Sequence, residues 1–180
     1  SNIQWKDTTN RIQLQGFYEF QSERFQRVER FREVEFDRNW NLLGMNISDN
    51  WHLLGSSAQL NFKSHRMDYQ WERLQIGKDW SAHRWRWKGT MIKTDHFHWK
   101  VDGWYTDNKG IKASNFIRNK DDIQWQGKGW RIYYQDEWER NQRAPEAAIT
   151  PYAFLDYCFG VGSQDTTRFK WVVFYRNRWD

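Results

Sequence analysis

Two histidines, His96 and His98, flank Phe97, and Lys100 follows two residues later. In a β-strand, residues two apart point to the same side of the sheet, so both imidazoles would share a side with Lys100. Histidine is a common metal ligand, and a third ligand from a neighbouring strand would complete a site. We therefore take His96 and His98 as candidate metal ligands. The same pair also fits an ordinary polar strand face, since no other histidine has a recognisable spacing to it.

Carboxylates cluster at two places, 121–122 and 136–139. Glycoside hydrolysis uses two carboxyl groups on either side of the scissile bond, and aromatic side chains would line the groove. Asp121 and Asp122 are predicted to lie in a turn, and adjacent acids in a strand point to opposite faces. An acid/base glycoside hydrolase using Asp136 or Glu137 is therefore our third hypothesis, and no residue is assigned as catalytic.

Tryptophan is the most unusual residue of this chain, with 14 copies among 180 residues. Flat indole rings stack on sugars, and a pocket needs only a few convergent groups, so most of these rings are expected to be structural. The candidate ligand-binding rings are Trp85, Trp87, Trp99, Trp104, Trp125 and Trp130.

The elements that position these residues are two neighbouring strands, 84–91 and 96–105. In the first, Trp85, Trp87 and Met91 alternate with charged or polar residues; in the second, Phe97, Trp99, Val101 and Tyr105 do so. Alternation with period 2 is typical of a strand that has one apolar and one polar face. Only residues 92–95 separate the two stretches, which predicts a tight hairpin.

The same rhythm extends along the chain, with turn residues every 8 to 12 positions, as is typical of an all-β barrel or sandwich. We predict a bulge near Arg73, a turn at 106–110, and no substantial helix. Mid-strand glycines, among them Gly44 and Gly103, favour a bent sheet. The sequence thus predicts an all-β, antiparallel up-and-down meander of about ten to twelve strands, forming a closed or strongly curved barrel. The remaining predicted strands are 11–20, 26–36, 41–47, 51–62, 67–76, 111–117, 123–125, 130–138, 152–161 and 168–175.

Composition limits the classes of function. Hydrophobic residues make up only 38% of the chain but aromatic residues 19%, and the net charge of +5 is dispersed among 28 basic and 23 acidic residues. Nucleic-acid binders concentrate basic charge on one patch, so no nucleic-acid partner is expected. The lone Cys158, in an apolar stretch, is a core residue rather than a nucleophile. Residues 1–180 are interpreted as one domain, complete or part of a larger barrel, with no cofactor.

The stretch FREVEFDRNWNL at 31–42 resembles segments of large outer-membrane β-barrel proteins of the Bacteroidota type. The stretch FKWVVFYRNRW at 169–179 is similar to their passages from strand to loop. The resemblance implies an antiparallel barrel, or part of one, with its aromatic face towards lipid and its charged face towards a wet lumen.

Our leading hypothesis is a non-enzymatic β-barrel at the outer membrane or cell surface of a Gram-negative bacterium, with a role in structure, transport or assembly and with lipid as its neighbour. The alternative is a soluble, periplasmic or extracellular, aromatic-rich barrel that binds a glycan or a lipid-like ligand. The oligomeric state is left open. The direction of the aromatic face, outward to lipid or inward to a core, discriminates between the two hypotheses.

Overall fold

The computed structural model describes residues 1–22, 40, 50–109, 113–143, 152–163 and 171–180. These residues form one sheet of ten antiparallel strands in which every strand pairs with its neighbours in the chain, and no helix occurs among them. The predicted all-β meander is therefore confirmed. The strands are β1 Asn2–Lys6, β2 Ile12–Gln21, β3 Trp51–Asn61, β4 Arg66–Ile76, β5 Trp80–Lys93, β6 Phe97–Lys109, β7 Ser114–Gln126, β8 Trp130–Arg143, β9 Tyr152–Ser163 and β10 Val172–Trp179.

Strands β1 and β10 form the two edges of this sheet, and no pairing joins them in the described part of the chain. The structure establishes a meander and leaves barrel closure as a prediction. The strands predicted at 26–36 and 41–47 fall outside the described residues. None of the described residues belongs to a helix long and apolar enough to cross a membrane.

The pairing register assigns every strand residue to one of two faces. Trp85 of β5 lies opposite Trp71 of β4 and Tyr105 of β6, and this side, the apolar face, continues to Trp5 in β1 and Trp179 in β10. Arg84, Arg86 and Lys88 of β5 define the opposite side, the polar face. The two faces are continuous across the whole sheet, because paired residues in antiparallel strands point to the same side.

A small hydrophobic core lies at one end of the polar face, beside the turn between β4 and β5. Its buried members are Trp40, Leu74, Ile76, Trp80 and Ala82, and Trp51 and Leu53 pack against them partly buried. Asn108 of β6 donates a hydrogen bond to the carbonyl of Trp40 at 2.8 Å. Burial of these rings and aliphatic groups stabilises this end of the sheet.

The bulge predicted near Arg73 is wrong. The register of β4 runs without interruption from Arg66 to Ile76 against both neighbours. Leu74 and Ile76 are out of phase with Tyr69 and Trp71 of the same strand because their side chains belong to the core on the polar face. A bulge occurs instead in β5, between Thr90 and Ile92, and it brings Ile92 onto the apolar face opposite Trp99.

Two predicted turns are also wrong. The stretch 106–110 was predicted to turn, but β6 continues to Lys109, with Thr106 and Asn108 buried on the polar face. Asp121 and Asp122 were predicted to lie in a turn between two weak strands, but they lie in the middle of the continuous strand β7. Asp121 accepts a hydrogen bond from Trp99, so cross-strand contacts outweigh the low strand preference of aspartate.

The hairpin between β1 and β2 is organised by Asp7. Its carboxylate accepts hydrogen bonds from the Thr9 hydroxyl and from the backbone N–H of Ile12, the latter at 3.0 Å. Asn10 adopts the left-handed conformation at φ +53°, which asparagine tolerates better than most residues. The hydrogen bonds from Thr9 and Ile12 hold the pKa of Asp7 below its ordinary value, because they stabilise the charged form.

Candidate functional site

The large hydrophobic side chains that are exposed in β1 to β9 all lie on the apolar face. They come from seven strands, and several are about half exposed, such as Trp5 at 53% and Phe159 at 46%. The set is Ile3, Trp5, Leu14, Tyr18, Phe20, Leu54, Tyr69, Trp85, Ile92, Trp125, Leu155 and Phe159. One contiguous sheet face therefore exposes far more apolar surface than a monomeric soluble protein usually does.

The polar face, in contrast, buries charged and amide groups. Glu72 is 4% exposed and Glu139 6%, and Thr106, Asn108 and Asn141 are buried beside them. All five lie on the polar face by register. This is the reverse of a soluble sheet, in which the apolar face is covered and the charged face is wet.

Cross-strand ion pairs neutralise much of this buried charge. The Arg84 Nε donates to Glu72 Oε2 at 2.7 Å, and Gln70 donates to the other oxygen of Glu72 at 2.8 Å. Further ion pairs on the polar face join Lys88 to Asp102, Arg118 to Glu137 and Glu139, and Arg176 to Asp156. Opposite charges on paired strands stabilise the sheet, and here they run from β4 to β10.

The six candidate tryptophans do not form one site. Trp85, Trp87, Trp99, Trp125 and Trp130 lie on the apolar face, whereas Trp104 lies on the polar face. There Trp104 stacks on Phe116 with ring centroids 5.7 Å apart, and the Arg118 guanidinium lies 5.4 Å from its ring centroid. Trp125 and Trp130 meet edge to face at 4.6 Å on the apolar face.

Two of these tryptophans border a polar patch in the middle of the apolar face, which we name the polar notch: Asn119, Asp121 and Asp136. Trp87 donates its indole N–H to Asn119 Oδ1 at 2.9 Å, and Trp99 donates to Asp121 Oδ1 at 2.7 Å. Asn119 also donates to Asp121 at 2.5 Å. Asp136 of β8 is the register partner of Asp121, and its Oδ1 is buried with no hydrogen-bond partner among the described residues.

Sequence reasoning missed the polar notch because Asp121 and Asp122 were interpreted as turn residues. A usable signal was present, since Asn119 and Asp121 are in phase with Ile117 and Ile123. A continuous strand through 117–123 would have put both polar residues on the apolar face.

Asp136 and Glu137, the acids of the hydrolase hypothesis, point to opposite faces of β8. Asp136 lies on the apolar face, whereas Glu137 lies on the polar face and pairs with Arg118. The two carboxyl groups cannot lie on either side of one glycosidic bond, as that mechanism requires.

The candidate metal ligands lie at the start of β6. His98 is on the polar face, and its register partners are Lys93 and Gln124, while His96 precedes the strand. Within the described residues, no three His, Cys, Asp or Glu side chains are grouped as a metal site requires. Cys158 is half-buried on the polar face of β9.

Comparison with known proteins gave one structural similarity. No protein-family model matches the chain, and no curated protein matches it. The crystal structure of OccAB3 from Acinetobacter baumannii matches with a TM-score of 0.42 and 9% sequence identity, covering 88% of this chain and 43% of that one. The present chain thus spans less than half the length of OccAB3. The resemblance to Bacteroidota-type barrels stays a prediction.

Proposed function

We propose that this chain forms the wall of a non-enzymatic β-barrel in the outer membrane of a Gram-negative bacterium, with a structural, transport or assembly role. The observation that carries the proposal is the inverted polarity of the sheet. Large apolar side chains are exposed on one face, and charged groups are buried and paired on the other. Lipid outside and water inside are the surroundings that stabilise this arrangement.

The length of the apolar runs supports the proposal. Three of the ten strands have long apolar runs on the apolar face: Ile12 to Phe20, Phe97 to Tyr105 and Ala153 to Val161. At their apolar-face positions the only polar groups are tyrosine hydroxyls and the indole N–H of Trp99. Each run covers nine residues, and a tilted transmembrane strand needs about 9–11. In β6 the next apolar-face residues are Asp107 and Lys109, which mark the limit of the band.

The proposal requires the sheet edges to be paired, because unpaired backbone N–H and C=O groups cannot remain in the hydrocarbon. The barrel closes either by pairing of β1 with β10 or through further strands between them. Ile3 of β1 at 78% and Val173 of β10 at 67% extend the exposed apolar face to both edge strands, whereas Val172 and Phe174 of β10 are exposed on the polar face.

Lipid quenching tests this proposal most directly. The full chain is refolded into phosphatidylcholine vesicles with and without brominated acyl chains, and tryptophan fluorescence is compared. Bromine quenches rings that contact lipid, so we expect Trp85→Phe and Trp125→Phe to lower the quenched fraction. Trp104→Phe is the matched control on the polar face and should raise it. A monodisperse monomer in detergent-free buffer, with no vesicle binding, would contradict the proposal.

The polar notch favours a second candidate function, a soluble sheet that binds a glycan or a lipid-like ligand through the apolar face. Trp87 and Trp99 supply rings beside the hydrogen-bonding groups of Asn119 and Asp121, which is a suitable combination for a sugar. A glycan array screened with the full chain tests it, with Asp121→Asn as the variant. No array signal, together with tryptophan emission that no glycan changes, would exclude this candidate.

A further inference from the structure

The polar face changes its chemistry between β4 and β5. On β5 to β8 it presents the charged residues already described, whereas part of β1 to β3 presents neighbouring uncharged amides and a hydroxyl, and Phe17 of β2 and Gly55 of β3 follow on the same face. Two rows cross the strands in register. The first row is Gln4, Gln15, Ser57 and Gln70, and the second is Gln13, Gln59 and Asp68, with Lys6 of β1 next to Gln13 at its end.

These two rows line a cavity of about 190 Å³, which we name the amide groove. The groove is large enough for a small polar molecule and too small for a folded partner. Five of its lining residues are glutamines, contributed by four different strands. Their convergence depends on the pairing register, since residues 4 and 70 are far apart in the chain.

Within the described part of the chain, the amides of the groove use only some of their hydrogen-bonding capacity. Gln59 donates to Asp68 Oδ1 at 2.7 Å, Gln70 to Glu72 at 2.8 Å and Gln15 to Asn2 at 3.2 Å, each through its amide nitrogen. The amide oxygens of these three glutamines accept no hydrogen bond from the described residues. Gln4 and Gln13 make no side-chain hydrogen bond there, so the groove presents both donors and acceptors.

Charge is nearly absent from the groove. Asp68 is the single charged residue among the described residues that line it, and two lysines flank it in register: Lys6 beside Gln13 on β1, and Lys88, which pairs with Asp102, beside Asp68 on β5. The groove therefore offers little electrostatic stabilisation to a bound anion or cation. A charged ligand would be stabilised more by the neighbouring ion pairs of β5 to β8. A hydroxyl group can both donate and accept hydrogen bonds, as a side-chain amide can, so vicinal hydroxyls suit paired glutamines.

We propose that the amide groove binds an uncharged polyhydroxylated solute of the saccharide class. The inference goes beyond the proposed function, because binding in the groove requires neither membrane insertion nor closure of the sheet. If the chain does form a barrel, the groove lies on the wet face and gives the interior a site for a neutral solute.

Isothermal titration calorimetry of the refolded full chain with maltose tests the inference, with gluconate and glucosamine as charged probes. We expect saturable binding of maltose and at least tenfold weaker binding of both charged probes. Replacing one hydrogen-bonding amide by an isosteric apolar group removes about 0.5–1.5 kcal/mol, or about twofold to tenfold in affinity. Gln13→Leu and Gln59→Leu should each weaken maltose binding by about this factor.

Gln135→Leu is the matched control, because Gln135 is an exposed glutamine on the polar face of β8, outside the groove. It should leave maltose affinity unchanged. Gln13→Glu provides a second groove variant of nearly equal size, and we expect it to raise the affinity for glucosamine and lower that for maltose. Far-UV circular dichroism verifies that each variant folds.

Three outcomes would overturn the inference. They are no saturable binding of maltose, binding of a charged probe as tight as that of maltose, and maltose affinity that Gln13→Leu and Gln59→Leu leave unchanged. Loss of binding in Trp99→Phe alone would assign the sugar to the polar notch instead. The vesicle experiment is independent, so either proposal can fail while the other holds.

Discussion

The indole N–H of Trp87 reaches across Gly103 to donate to Asn119 Oδ1 at 2.9 Å. The three residues form one row over β5, β6 and β7. A Cβ on Gly103 would lie 2.7 Å from the Trp87 ring and 2.7 Å from Asn119 Oδ1. The glycine therefore provides the space in which the aromatic ring and the polar notch meet.

We expect Gly103→Ala to lower the free energy of unfolding by about 1–3 kcal/mol, because the added methyl forces the Trp87 ring or Asn119 out of position. Urea denaturation followed by tryptophan fluorescence measures the change. Gly16→Ala is the control on the same face, since its Cβ would meet only the Gly55 carbonyl oxygen at 3.9 Å. Equal destabilisation by both substitutions would contradict the contact.

Glu72→Ala should destabilise the sheet by about 3–5 kcal/mol, because it leaves the largely buried Arg84 guanidinium without its carboxylate partner. Arg178→Ala removes a pair to Asp180 in which both side chains are more than half exposed, and it should cost at most about 1 kcal/mol. Denaturant midpoints of the two variants give the comparison. Similar denaturation midpoints for the two variants would contradict the prediction and indicate that Glu72 is solvated.

Phe159→Arg should impair insertion into vesicles, because a cation on the lipid face of a barrel costs about 2–4 kcal/mol near the midplane of the bilayer. Gln135→Arg puts the same charge on the neighbouring strand but on the polar face, and it should insert normally. The fraction of chain that floats with vesicles in a density gradient measures insertion. If Gln135→Arg were the defective variant, the assignment of the faces would be inverted.

The stability of the β1–β2 hairpin should depend on pH through Asp7. Its folded-state pKa lies below the ordinary value of 3.8, so its contribution is fully present above that value and is lost as the pH falls through the folded pKa. Amide hydrogen exchange of Ile12 at a series of acidic pH values, corrected for intrinsic exchange, reports the loss. Asp7→Asn should remove the pH dependence, and its persistence in that variant would exclude Asp7 as the cause.

The sequence predicted the meander and its faces well where the signal is local. Alternation within 84–91 and 96–105 is a property of neighbouring residues, and short connections pair consecutive strands, so β5, β6 and their hairpin could be read directly. The predictions failed where a contact across a turn or between two strands determines the local structure. Leu74 and Ile76 imitate a bulge because their partner Trp80 lies across a turn, and Asp121 looks like a turn residue until Trp99 is placed beside it.

The sequence by itself determined that one face is aromatic and the other charged, because period-2 alternation is a local property of the backbone. Only the tertiary structure determined that the polar face buries its charged and amide side chains while the apolar face leaves its aromatic rings exposed. Exposure depends on what covers a face, and Glu72 becomes buried only when strand pairing brings Arg84 of β5 to it. The amide groove has the same origin, since its glutamines come from four strands and share a site only through their register.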